Sequence, residues 1–201
     1  IADGDGVLVN DAGTMRMTTV DTLATYVGTK IAGAGLVYLA SSGALSNAAN
    51  VSFTQFDASK FDHYQFWFQN VIPATDNVSL RGHVSTDGGS NYDVTDGNYH
   101  QEANDLTGLL VVHSAIGSAS GEYGVSAVFS LFAPHLASAF TYSSCNGTYM
   151  ATNSKVEEVA VGSPVNSAHL VAEDSDAIRF AFTSGNIESG EIVMYGIANG
   201  T

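Results

Sequence analysis

Positively charged residues are scarce in this 201-residue chain. It carries 6 Lys and Arg against 20 Asp and Glu, a formal net charge of −14. The six cations, Arg16, Lys30, Lys60, Arg81, Lys155 and Arg179, are also scattered along the sequence. A nucleic-acid interface needs clustered cations, and an anionic membrane surface would repel so acidic a chain. We therefore expect neither nucleic acid nor membrane among its partners.

Cysteine, charged residues in general and long apolar runs are scarce too. The single cysteine, Cys145, excludes an internal disulfide and a cysteine-based zinc cluster, and it is expected to be a small buried thiol. Charged residues make up only 13% of the chain, so the surface must consist largely of Ser, Thr, Asn, Gly and Ala. No apolar run approaches the roughly 18–20 residues that span a bilayer. Hydrophobic residues nevertheless reach 45%, enough for a substantial core.

Residue patterns that support catalysis are weak. The six histidines are too far apart for the usual metal-ligand spacings, and the segment Gly117–Gly121 has Ala119 where a nucleophile elbow has serine. Neighbouring strand residues point to opposite faces, so Glu157 and Glu158 cannot share a site. We expect no enzyme and no cofactor. Asp174 and Asp176 are read as a solvated turn, with calcium as the weaker alternative because acidic loops offer oxygen ligands.

Residues 1–30 are predicted to form an attachment segment. A hairpin turns at Asn10 to Gly13, and an amphipathic helix follows that is expected to end near Gly28. The apolar residues that would dock are Val7, Val9, Met15, Met17, Val20, Leu23 and Val27. So short a segment cannot bury a core of its own, so we expect it to dock on copies of itself, with the main domain as the alternative. Residues 29–35, rich in glycine, are the predicted linker.

Residues 36–201 are predicted to form an antiparallel β-sandwich of jelly-roll type with about ten strands. Polar and apolar residues alternate with period two, most clearly in residues 64–71, 78–84, 125–132 and 178–182. Glycine, asparagine and aspartate interrupt these runs at intervals typical of a sandwich. The weaker candidate strands are 36–39, 51–56, 109–113, 147–152, 156–161 and 168–171.

Two local features could carry recognition. The segment Ser85–Tyr92 resembles the Asp-box turn of sialidases, but it occurs once, and an ordinary Asp-Gly hairpin turn explains it better. The candidate contacts for a glycan or protein receptor are aromatic: Trp67, Tyr92, Tyr99, Tyr142 and Tyr149. If Phe66 and Phe68 point into the core, Trp67 points out. The alternative for Trp67 is packing against a neighbouring subunit.

Three passages resemble known virion proteins. Residues 2–15 with 20–27 resemble connector segments of tailed-phage fibres, while residues 61–89 and the closing 182–197 are similar to the lectin-like sandwich domains of such proteins. The resemblance implies a homotrimeric tail fibre on the virion surface that contacts the host. A capsid decoration or head-fibre protein of the same fold is the alternative. A polysaccharide-degrading enzyme and a secreted lectin are the less favoured ones.

Overall fold

The computed structural model describes residues 2–31, 35–101, 104–159 and 166–198. At the N-terminus, β1 (Gly6–Asp11) and β2 (Thr14–Thr19) form an antiparallel hairpin, and α1 (Val20–Ile31) follows directly. This confirms the predicted hairpin and helix. Ala12 and Gly13 both have positive φ, which a tight two-residue turn requires, and Thr19 caps the helix by accepting a hydrogen bond from Thr22 N at 3.1 Å.

The helix does not end at Gly28. It continues to Ile31, because one glycine costs a helix only about 1 kcal/mol and no proline follows to stop it. The predicted linker, residues 29–35, includes residues 32–34, which lie outside the described residues.

The remaining strands form two antiparallel sheets, which confirms the mainly β, sandwich-like fold. The small sheet has the order β10-β7-β15-β5, with β10 (Leu109–Ile116), β7 (Val78–Ser85), β15 (Ala177–Phe182) and β5 (Val51–Phe53). The large sheet follows β3-β16-β6-β11-β12-β14-β8-β9. Its strands are β3 (Leu36–Ser41), β16 (Ile187–Ala198), β6 (Phe61–Pro73), β11 (Val125–Phe132), β12 (Thr141–Met150), β14 (Asn166–His169), β8 (Tyr99–Gln101) and β9 (Asn104–Leu106). In addition, β13 (Val156–Glu158) pairs with β12, and β4 (Leu45–Ala48) pairs with β16. The jelly-roll connectivity stays a prediction.

Aromatic side chains join the two sheets in the core. Phe180, on the small sheet, lies 5.0 Å in ring-centroid distance from both Phe66 and Phe68 and 5.6 Å from Phe129, all on the large sheet. Alternation places them there: in β11 every second residue from Val125 to Leu131 is buried. Cys145 is buried beside this core, as predicted, and burial raises the pKa of its thiol to about 12.

Strand number and bounds differ from the prediction. Beyond residue 35 the described chain contains fourteen strands instead of about ten. The predicted strand 147–152 is the end of β12, which begins at Thr141, and the predicted strand 51–56 is only the short β5. β14 begins before the predicted 168–171, and residues 160–161 of the predicted strand 156–161 lie outside the described residues. The start of β12 was missed because its inward residues, Thr141 and Ser143, are polar.

The Ser85–Tyr92 segment is not a hairpin turn. β7 ends at Ser85 in the small sheet, whereas the next strand, β8, belongs to the large sheet. The turn is held by Asp87, whose Oδ1 accepts hydrogen bonds from Ser85 Oγ at 2.8 Å and Asn91 N at 2.8 Å. Hydrogen bonds from Asn91 and Ser85 hold the pKa of Asp87 at about 2. The segment therefore starts a crossover between the sheets.

Replacing Gly124, just before β11, is expected to destabilise the sandwich. Gly124 has φ +62°, and a Cβ there would lie 2.1 Å from the carbonyl oxygen of Val71. Gly124→Ala should lower the free energy of unfolding by about 2 kcal/mol or more, since a strained backbone and a backbone clash add. Urea denaturation measures it. Gly97→Ala is the control: it shares the positive φ but has open space around its Cβ, so an equally large loss there would contradict the clash.

Candidate functional site

The outer face of the large sheet carries the best-placed candidate contacts. Phe66 and Phe68 are buried in β6, and Trp67 between them points outward with 38% of its surface exposed. This confirms the orientation predicted for Trp67 from alternation. The indole Nε1 donates to Gln65 Oε1 at 3.2 Å on the same face.

Trp67 belongs to a row of three aromatic rings across neighbouring strands. Its ring lies 5.3 Å from Tyr195 on β16, which lies 6.2 Å from Tyr38 on β3. Tyr38 and Tyr195 are direct partners across the two strands, whereas Trp67 is opposite Val193, one diagonal step from Tyr195. The sequence analysis did not find Tyr38 or Tyr195, because only strand pairing brings them beside Trp67.

A second aromatic group lies on the same sheet. Tyr142, 53% exposed, pairs with Phe132 across β12 and β11, and Phe132 pairs with His63 on β6, whose ring it meets at 5.5 Å. Next to them is an open cavity of about 510 Å³. Its described lining comprises His100, Phe132, Tyr142, Ser143, Ser144, Asn166, Ser167 and Ala168. Aromatic rings beside hydroxyl and amide groups suit polar, partly apolar ligands such as sugars.

The central part of this face has no formal charge. The alternating outward positions of its three central strands are His63, Gln65, Trp67 and Gln69 on β6, Ser126, Val128, Ser130 and Phe132 on β11, and Tyr142, Ser144, Asn146 and Thr148 on β12. None of these is Asp, Glu, Lys or Arg. We call these twelve positions together with Tyr38 and Tyr195 the uncharged face. It contrasts with the net charge of −14.

The other three predicted aromatic contacts lie elsewhere. Tyr99 is fully buried, so its prediction as a surface contact is wrong: its hydroxyl donates to Asp93 O at 2.9 Å and accepts from Val84 N at 3.2 Å, and burial raises its pKa. Tyr92 is half-buried and stacks on the Arg179 guanidinium at 4.5 Å. Tyr149 packs partly against the core, and burial raises its pKa.

Asp174 and Asp176 have different partners. Asp174 Oδ1 lies 3.2 Å from His135 Nδ1, and His135 Nε2 lies 2.8 Å from the hydroxyl of buried Tyr64. Both carboxylate oxygens of Asp176 accept from Gly88 N at 3.0 Å. Within the described ranges, no three His, Cys, Asp or Glu side chains form a group able to hold a metal ion. The weak calcium prediction gains no support from this geometry.

A polar network around Asp93 fixes the loop after β7. Its Oδ2 lies 2.9 Å from Nε2 of the fully buried His169 and accepts from Asn98 Nδ2 at 2.7 Å, while Oδ1 accepts from Thr95 N at 2.8 Å. Burial opposes ionisation, but hydrogen bonds from His169, Asn98 and Thr95 outweigh it and hold the pKa of Asp93 well below its ordinary value. No pattern in the sequence predicts this network, because Asp93 and His169 lie far apart along the chain.

Acid should remove the contribution of Asp93 to stability. A carboxylate whose pKa is lowered on folding stabilises the protein above its unfolded pKa of about 3.9 and loses that effect as the pH falls further. Asp93→Asn should therefore lower the free energy of unfolding by about 1–3 kcal/mol at pH 7 and by about 1 kcal/mol less at pH 3, which lies roughly one pH unit below the unfolded pKa. Urea denaturation at both pH values tests this. Asp96→Asn, in the same loop, should stay within about 0.5 kcal/mol at both, and an Asp93 effect independent of pH would contradict the account.

Comparison with known proteins identifies no relative: no family model, curated protein or solved structure matches this chain. Among the described residues, no helix is long and apolar enough to cross a membrane.

Proposed function

We propose that this chain is a non-enzymatic structural protein of the virion surface, the tail fibre or fibre tip of a tailed phage, and that it assembles as a homotrimer. The observation that carries the proposal is the uncharged face. Copies of a chain with a net charge of −14 repel one another, and this face lets them meet without bringing carboxylates together. That the assembly contains three copies is inferred from the resemblance to fibre proteins.

The uncharged face lies at the centre of a larger surface. Five neighbouring strands about 4.8 Å apart, each presenting about eight residues at about 3.4 Å, span roughly 650 Å². This area also includes the carboxylate of Glu191 on β16, which lies opposite Gln69 and accepts a hydrogen bond from Ser41 Oγ. Specific interfaces bury about 800 Å² from each partner. Side-chain relief increases the flat estimate, but in a cyclic trimer each copy meets two neighbours, so this surface supplies the centre of each interface and not all of it. Large aromatic residues are the usual centres of such interfaces, and Trp67 with Tyr195 lies near the middle of this one.

Residues 1–30 are proposed to fix the chain to other virion proteins. Val9, Met15, Met17 and Val27 are exposed, as is Leu8, while Val7, Val20 and Leu23 are half-buried. Exposed apolar side chains concentrated in thirty residues favour a docking role. The start of the helix is tied to the turn before β1 by hydrogen bonds from Val20 N to Asp5 O and from Asp21 N to Asp3 O, so the segment can dock as a unit.

Immunoelectron microscopy of the virus that encodes this chain tests the virion assignment. Antibodies raised against the purified chain should label the tail fibres and should block adsorption to host cells. Labelling over the capsid would contradict a tail fibre and favour the head-fibre alternative. Unlabelled particles would contradict a virion role altogether. Release of new reducing ends from host polysaccharide by the purified chain would contradict the non-enzymatic part.

A further inference from the structure

The outer face of the small sheet brings together two of the chain's three arginines. Leu80, Gly82 and Val84 of β7 are buried, so Arg81 and His83 alternate to the opposite face. Arg179 on β15 is the direct partner of His83, and Arg81 lies opposite Ala181. Arg81, His83 and Arg179 therefore form one row, which we call the cationic row.

The arginines of the cationic row form no ion pair with a carboxylate of the described residues. Within the described residues, no Asp or Glu oxygen lies within 4.0 Å of Arg81 or Arg179. Arg179 stacks under Tyr92, and Arg81 Nη1 donates to Thr107 Oγ1 at 2.5 Å. The Nε atoms of both arginines and Nδ1 of His83 are buried without a hydrogen-bond partner. In a chain with 20 acidic residues, two unpaired guanidinium groups on one face suggest that their counter-charge comes from a ligand.

A cavity of about 460 Å³ opens beside Arg81 and His83. Its described lining is Arg81, His83, Thr107, Ala181, Phe182 and Thr183, and none of these is acidic. By contrast, the cavity of about 420 Å³ beside Tyr92 is lined by Asp87, Asp93 and Glu173. The cavity beside Arg81 thus combines a fixed cation with hydroxyl groups and an apolar edge, and it exceeds what a small inorganic ion needs.

We propose that this cavity binds the carboxylate and adjoining hydroxyl groups of an acidic sugar in a surface polysaccharide. Arg81 supplies the charge, Thr107 and Thr183 hydrogen-bond the hydroxyl groups, and Ala181, which lies opposite Arg81, contacts the sugar ring. A neutral sugar would leave the guanidinium unpaired, and acetate would leave most of the cavity empty. The inference rests on the proposed function for the source of the polysaccharide, whereas the site itself follows from the cationic row.

His83 provides an internal reporter of binding. Burial, followed by the charges of Arg179 and Arg81, lowers the pKa of His83 to about 4, while Asp93 and a hydrogen bond to Thr107 act in the opposite direction. The imidazole is therefore neutral at pH 7. Charges beyond about 8 Å are largely screened at physiological ionic strength, so these neighbours and Asp96, which acts on Arg81, dominate locally. A bound carboxylate adds a negative charge and should raise the pKa of His83.

The test is calorimetric titration with glucuronate, with glucose and acetate as matched ligands that each lack one half of the recognised group. Glucuronate should bind at least about tenfold more tightly than either, and Arg81→Gln should weaken it at least about tenfold. Lys60→Gln, which removes a cation paired with Asp57 at 2.8 Å, should leave the affinity unchanged. Equal affinity for glucose, or inorganic phosphate binding more tightly than glucuronate, would overturn the proposal.

An NMR titration of the unaltered chain does not depend on the variants folding. The His83 pKa should rise when glucuronate saturates the site, and an unchanged pKa at saturation would overturn the proposal. Absence of glucuronate binding would overturn it too. These outcomes are separate from the proposed function: a chain absent from virions that binds glucuronate retains the site, and a labelled tail fibre that does not bind it retains the fibre assignment.

Discussion

Trp67→Asp is expected to dissociate the proposed trimer. The substitution removes an aromatic ring from the proposed centre of the interface and puts three carboxylates into contact on a face that lacks charge. Removing such a residue costs about 2 kcal/mol or more, which corresponds to a weakening of roughly thirtyfold or more for each interface. Sedimentation at micromolar concentration should therefore show monomers for Trp67→Asp where the unaltered chain sediments as a trimer.

The matched control is Tyr123→Asp, an aromatic-to-aspartate change in the exposed loop before β11. It adds the same charge outside the uncharged face, so the trimer should persist. Trp67→Asp must also keep the circular dichroism spectrum of the unaltered chain, since dissociation by unfolding would say nothing about the interface. A folded Trp67→Asp chain that remains a trimer would contradict the interface assignment.

Phe180→Ala is expected to be the most damaging single change to stability. Phe180 meets Phe66, Phe68 and Phe129 across the space between the sheets and Phe53 on its own sheet at 6.3 Å. Deleting its ring leaves a cavity that the rigid strands on both sides cannot close. The free energy of unfolding should fall by about 3–5 kcal/mol, and urea denaturation measures it.

Phe140→Ala is the control for Phe180→Ala. Phe140 lies exposed in the turn before β12, so losing the same atoms should cost less than about 1 kcal/mol. A loss for Phe180 no larger than the loss for Phe140 would contradict the core assigned to the two sheets.

The sequence predicted the sandwich where apolar residues alternate. In β11 the period-two pattern is unbroken, and it matches the burial seen in the structure. The sequence does not predict the first half of β12, because the side chains buried there are polar. Ser143 Oγ lies 2.8 Å from Ser167 Oγ on β14, and Ser167 Oγ accepts a hydrogen bond from Leu110 N at 2.8 Å. Hydropathy cannot detect a strand whose interior is satisfied by hydrogen bonds to distant residues.

The candidate sites were predictable only where a single strand defines them. The outward direction of Trp67 follows from its two phenylalanine neighbours, whereas its partner Tyr195 depends on the register between β6 and β16. The sequence wrongly predicts Tyr99 as a surface residue, because its three-residue strand is too short to show a clear periodicity and its burial depends on contacts with Val84 and Asp93. The cationic row could not be predicted from the sequence either, since Arg81 and Arg179 meet only through the pairing of β7 and β15.

The central claim is that copies of this chain meet through the uncharged face. Native mass spectrometry of the purified full chain tests it most directly. The account predicts one species at three times the chain mass of 20.9 kDa at micromolar concentration and physiological salt. A single species at 20.9 kDa under those conditions would contradict it.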